Sequence, residues 1–180
     1  MTSPDHGVIA LDVTSPDLDL SALLRGTASR FNPHITLMPR FPIRNLKTVV
    51  ADWTPIVSSL NLPSHHLYRL SGPKWPERDL CWYEFGDDID GRNLLQQAHE
   101  AALSQALHAG LIEKPPHFSG KSFHPHMTIA WRAEPQGNLP GSLTLLGKAI
   151  TLYTYRGDPH ESDVTRIELC ALSVAPGLST

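Results

Sequence analysis

The chain has 180 residues, 41% hydrophobic and 18% charged, with a formal net charge of −3. That size and balance suit one compact domain spanning 1–180 and exclude wholesale disorder, and the mild acidity excludes a broad, non-specific nucleic-acid binder, which would carry a basic footprint. Two cysteines without CxxC spacing read as reduced core thiols in a cytoplasmic protein; no apolar run approaches a membrane span and no export signal is legible, so no membrane partner is expected.

Strands and helices are predicted in alternation. Gly7 to Val13 is a nearly continuous apolar run and reads as a buried strand. Ser15-Pro16-Asp17 is a turn and cap signal before a short helix, Leu18 to Leu24. A strand follows over His34 to Met38, closed by Pro39 and Pro42. Asn45 can cap a helix through Leu46 and Trp53 that Pro55 must end or kink.

Two strands are predicted over Leu67 to Leu70 and Leu80 to Phe85, with turns at Gly72-Pro73 and Trp75-Pro76 between them. Arg92 to Ala109 is the clearest helix, capped by Asp88 or Asp90 and closed by Gly110. A Pro, His and Gly-rich loop leads into a strand over His126 to Trp131. Two half-buried antiparallel strands, Leu143 to Arg156 and Val164 to Val174, finish the chain.

Two stretches are near copies of each other: Phe31-Asn-Pro-His34-Ile-Thr36-Leu-Met-Pro-Arg40 and Phe123-His-Pro-His126-Met-Thr128-Ile-Ala-Trp-Arg132. Both read Phe-x-Pro-His-apolar-Thr-apolar-x-x-Arg, about half a chain apart. On a strand, residues i and i+2 share one face, roughly 6–7 Å apart. Each copy therefore sets an imidazole and a hydroxyl on one face, with Ile35 and Leu37, or Met127 and Ile129, buried on the other. If the two strands meet across a cleft, two histidines and two threonines face one small ligand.

Here the chain resembles the 2H phosphoesterase superfamily, which includes 2′-5′ RNA ligase-like proteins and 2′,3′-cyclic nucleotide phosphodiesterases. Its signature is two copies of His-apolar-Ser/Thr-apolar, matched by Pro33-His34-Ile35-Thr36-Leu37 and Pro125-His126-Met127-Thr128-Ile129. The resemblance spans essentially the whole chain. It implies an α+β, bilobal fold of two antiparallel sheets with flanking helices, related by a pseudo-twofold axis, with the active-site cleft between the lobes. It also implies a nucleotide or RNA terminus with a cyclic or 2′-5′ phosphate as partner, and His126 as base with His34 as acid. Many RNA ligase-like members have an arginine right after the small residue of the second motif; here Trp131 stands first and Arg132 follows.

The chemistry follows from the residue types. Opening a cyclic phosphodiester needs a base to take a proton from water and an acid to give one to the leaving ribose oxygen, and two imidazoles can hold one proton between them near neutral pH. The Thr36 and Thr128 hydroxyls can bind non-bridging phosphate oxygens without adding charge. Acid, base and phosphate binders are then all present, so neither a metal nor a cofactor is required.

Arg40 and Arg132, at equivalent places after the motifs, could neutralise a phosphate or stand solvated at a strand end. Trp131 could stack on a base or be core, and Tyr155, on one face with Tyr153, could border the cleft or pack within the sheet. His124-Pro-His126 has no accompanying carboxylate or cysteine cluster with metal-ligand spacing. Hydrolysis of a cyclic or 2′-5′ phosphodiester leads; 2′-5′ ligation and a non-catalytic binding module using the same cleft are the alternatives.

Overall fold

The computed structural model describes residues 4–24, 31–77, 80–131, 138–158 and 163–172. In chain order they form β1 (His6–Thr14), α1 (Leu20–Leu23), β2 (His34–Pro42), α2 (Leu46–Ser58), β3 (Leu67–Glu77), β4 (Leu80–Glu84), α3 (Ile89–His108), β5 (His126–Trp131), β6 (Ser142–Tyr155) and β7 (Thr165–Ala171). A single 3-10 turn, Gly120–Ser122, precedes β5.

Local signals start and stop the helices largely as expected. The Asn45 side chain accepts from the Lys47 N–H and starts α2. Pro55 does not stop it: the helix runs on to Ser58, with Pro55 inside its last turn. Asp88 caps α3 by accepting from the Gly91 N–H at 2.9 Å, and its other oxygen takes the Arg69 N–H at 2.7 Å, so the cap also ties the helix to β3. Gly110, at φ +70°, follows the helix where a left-handed residue is needed.

The strands depart further from expectation. All seven join one antiparallel sheet in the order β2-β1-β6-β3-β4-β5, with β7 also on β6, rather than two separate sheets. The cause is the length of β6. Its residues Ser142 to Leu146 pair with β3, while Ala149 to Thr154 pair with β7 along the same edge and β1 takes the opposite edge. One strand therefore pairs with three others. β3 is also longer than predicted, running through Gly72-Pro73 and Pro76. Beyond Ser71 it pairs with β4 alone, which leaves an open edge where proline loses no ladder bond. The same holds for β2, which passes Pro39 because it pairs only with β1.

β2 and β5 end the hydrogen-bonded order, yet they touch each other. The sheet therefore turns back on itself and brings the two repeated motifs side by side. Ile35, Leu37, Met127 and Ile129 point into one continuous core with Leu11, Leu70, Leu95 and Trp53. α3 packs against β2 and β3, and α2 against β7 and α3. Among the described residues no helix is long and apolar enough to cross a membrane, and both cysteines are free thiols.

Candidate active site

The alternation predicted for both motifs is present. His34 and Thr36 are half-buried while Ile35 and Leu37 are sealed in the core; His126 and Thr128 are half-buried while Met127 and Ile129 are sealed. Each histidine is fixed in the same way. His34 Nδ1 donates to the Asn32 carbonyl and His126 Nδ1 to the His124 carbonyl, both at 2.7 Å. The proline between donor and acceptor residue holds the segment extended, so the carbonyl lies beside its own histidine. A carbonyl can only accept, so the proton sits on Nδ1 and Nε2 carries the reactive lone pair.

Electrostatics keep both rings ready to lose a proton. Burial pushes His34 below its usual 6.5, against the opposing pull of the Asn32 carbonyl and Asp12. Burial does the same to His126, reinforced by His124 and by His34 itself, with the His124 carbonyl and Glu84 opposing. The two motif rings are thus close enough for charge on one to oppose charge on the other. Both rest neutral at pH 7, and a bound anionic phosphate would favour putting one proton back.

Cross-strand partners complete the floor. Asp12 lies opposite His34 and Ala10 opposite Thr36; Glu84 lies opposite His126 and Trp82 opposite Thr128. Each histidine therefore has a carboxylate across its strand pair. Asp12 is buried and accepts from Thr151 Oγ1 at 2.9 Å, from the Tyr153 hydroxyl at 2.5 Å and from Arg166 Nε at 2.9 Å. Glu84 is more open, meeting His124 Nε2 at 3.2 Å and Lys74 Nζ at 3.7 Å.

The two flanks differ in their aromatics. Trp82 lies 4.6 Å from the His126 ring, and its buried indole N–H has no acceptor among the described residues. Phe31 and Tyr153 border His34 at 5.2 and 5.6 Å. A cavity of about 490 Å³ opens beside this flank, lined by Asp12, Asn32, Pro33, Lys148 and Arg166 among others. The motif histidines are not among the residues that line it.

The remaining sequence candidates are placed unevenly. Arg40 stands at the rim, within 2.8 Å of the His6 ring and 5.8 Å from the centre of the Tyr155 ring. Tyr155 is 3% exposed, covered by His6 and Phe31, so in this structure it supports the rim. Trp131 ends β5 opposite Leu80, and its side chain, like the whole of Arg132, lies outside the described residues. Sequence reasoning missed Asp12, Trp82, Glu84 and Lys74. Asp12 did carry a signal, as an acid inside an apolar run that can be buried only with partners; the other three depend on strand register.

No family model and no curated protein matches the chain. Solved structures do. Escherichia coli LigT bound to NADP+ is 18% identical, covers 96% of this chain and 100% of its own, and superposes with a TM-score of 0.61. A phosphoesterase is 18% identical over 93% of this chain and 99% of its own, at 0.55. TT0787 of Thermus thermophilus is 19% identical over 91% and 97%, also at 0.55. The chain has the LigT fold along nearly its full length.

Proposed function

We propose that the protein is a metal-independent phosphodiesterase that opens a cyclic, 2′,3′-type phosphodiester, or cleaves a 2′-5′ one, on a nucleotide or RNA end. One observation carries this reading. Two histidines, each with Nδ1 committed to the carbonyl two residues before it, stand on touching strands beside two threonine hydroxyls. Binding alone would need no matched pair of proton carriers, which disfavours a purely recognising cleft.

His126 Nε2 takes a proton from water as the water oxygen attacks phosphorus. Protonated His34 gives its Nε2 proton to the ribose oxygen as the P–O bond breaks, leaving a phosphomonoester and a free hydroxyl. The Thr36 and Thr128 hydroxyls donate to the non-bridging oxygens, where charge develops. The histidines end with their protons exchanged, and solvent resets them. Trp82 beside His126 offers a face for a base. The shared fold adds support, since E. coli LigT structures hold 3′-AMP, ATP and NADP+.

Incubating the protein with each of the four 2′,3′-cyclic nucleotides and with a 2′-5′ dinucleotide, and separating the products, tests this reading. We expect one class to yield a single phosphomonoester regioisomer at a rate that His34→Ala removes. Equal product formation by His34→Ala would refute it.

A further inference from the structure

Among the described residues, the proposed chemistry leaves one fully enclosed histidine unused, His99 on α3. Both its ring nitrogens are committed. Nδ1 donates to the Leu37 carbonyl at 2.7 Å, Nε2 accepts from the Gly120 N–H at 2.8 Å, and the ring lies flat on Phe123, 4.0 Å away at 10°. A carbonyl only accepts and an amide N–H only donates, so the imidazole is neutral with its proton on Nδ1. Burial, which holds this ring below the usual range, favours the same form.

The residues it joins belong to the two motifs. Leu37 follows Thr36 on β2, while Gly120 and Phe123 lead into His126 on β5. These strands touch but are not neighbours in the hydrogen-bonded order, so no backbone ladder fixes their separation. Gln96, one turn earlier on α3, donates to the Gly120 carbonyl at 3.2 Å, so the helix grips both polar groups of that residue. In the same segment Phe118 has φ 60° and Gly120 φ 61°. The left-handed backbone at Phe118 is one that a loosely held segment would relax.

We propose that His99 is a positioning residue, a two-ended clamp from α3 that sets the spacing between His34 and His126. It touches no reacting atom and acts through Leu37 and Gly120. The inference rests on the two-histidine reading of the cleft. Loosening the clamp keeps each strand's own histidine and threonine together and spoils the alignment between β2 and β5, so the larger loss falls on kcat. Misplacement of about 1 Å is worth roughly 100-fold in rate.

Three variants test it. His99→Phe keeps the ring stack and neither bond, His99→Asn keeps a donor towards Leu37, and His99→Gln keeps an acceptor towards Gly120. Each is shown to be folded by circular dichroism, then assayed for kcat and KM on a 2′,3′-cyclic nucleotide beside wild type and His34→Ala. We expect kcat to fall roughly 10- to 100-fold in His99→Phe and less in the other two, with a smaller change in KM. A lower melting temperature with wild-type kcat in the folded protein would overturn the clamp. If His99→Phe does not fold, the two single-bond variants carry the comparison.

Nitrogen-15 NMR of the histidines decides the matter without turnover. We expect His99 to be protonated at Nδ1 and the His34 and His126 signals both to move in the His99 variants. A His99 proton on Nε2, or unmoved His34 and His126 signals, would overturn the proposal. Full turnover by His34→Ala would instead refute the two-histidine chemistry and leave this NMR result to judge the clamp.

Discussion

Replacing Asp12 with alanine should cost the protein about 3 kcal/mol of stability. The carboxylate is 3% exposed and takes four bonds: Thr151 Oγ1 at 2.9 Å, the Tyr153 hydroxyl at 2.5 Å, and two guanidinium nitrogens of Arg166 at 2.9 and 2.8 Å. Thr151 and Tyr153 are themselves 0% and 1% exposed, so their hydroxyls cannot turn to water when the acceptor is removed. Each stranded donor costs about 1–3 kcal/mol. Arg166 is 35% exposed at its side chain and can re-solvate, so its share is discounted.

With a urea m-value near 2 kcal/mol/M, the unfolding midpoint should fall by about 1.5 M. Asp12→Asn keeps the shape and one acceptor oxygen and should lose roughly half as much. A double-mutant cycle with Tyr153→Phe should show the two positions coupled, since they share one hydrogen bond. An Asp12→Ala midpoint within error of wild type would refute the reasoning, because it would mean that water already serves these hydroxyls.

The remaining expectations concern catalysis. Because burial holds both motif histidines below 6.5, kcat/KM should rise with pH as the base sheds its proton and fall as the acid sheds its own, with a maximum on the acid side of 6.5; a maximum at or above pH 8 would contradict this. Trp82→Ala should raise KM for a cyclic purine nucleotide roughly 10-fold, the worth of one stacked base, and an unchanged KM would remove Trp82 from the binding surface. EDTA should leave turnover unaltered, since the two imidazoles and two hydroxyls supply acid, base and phosphate binders; loss of activity restored by added zinc would revive a metal mechanism.

What could be read from the sequence followed from covalent rules and periodicity. The Phe-x-Pro-His-x-Thr repeat fixed an extended frame twice, and alternation assigned Ile35, Leu37, Met127 and Ile129 to the core. Pairing across the chain was not legible. Nothing local in Ser142 to Tyr155 says that one strand will pair with β1, β3 and β7, and the family resemblance implies two sheets where one is hydrogen-bonded throughout. Gly72-Pro73 reads as a turn until β3 is known to have an open edge there.

Register hid most of the site's supporting residues. Trp82 and Glu84 look like any alternating strand until β4 is set against β5. His99 lies on the clearest helix of the chain, but its two partners are known only once Leu37 and Gly120 are brought to its nitrogens. Arg40 was legible as a cation near the motif but not as one held at the rim by His6 and Tyr155.

The central claim is that His34 and His126 act as one acid–base unit. Single-turnover rates on a 2′,3′-cyclic nucleotide, with EDTA present, should be measured for wild type, His34→Ala, His126→Ala and the double variant. The account predicts that each single replacement loses roughly 1,000-fold or more and that the double variant loses little beyond either, because half a proton relay does no work. Losses that multiply in the double variant, or a single variant within 10-fold of wild type, would show that the two histidines do not share one reaction.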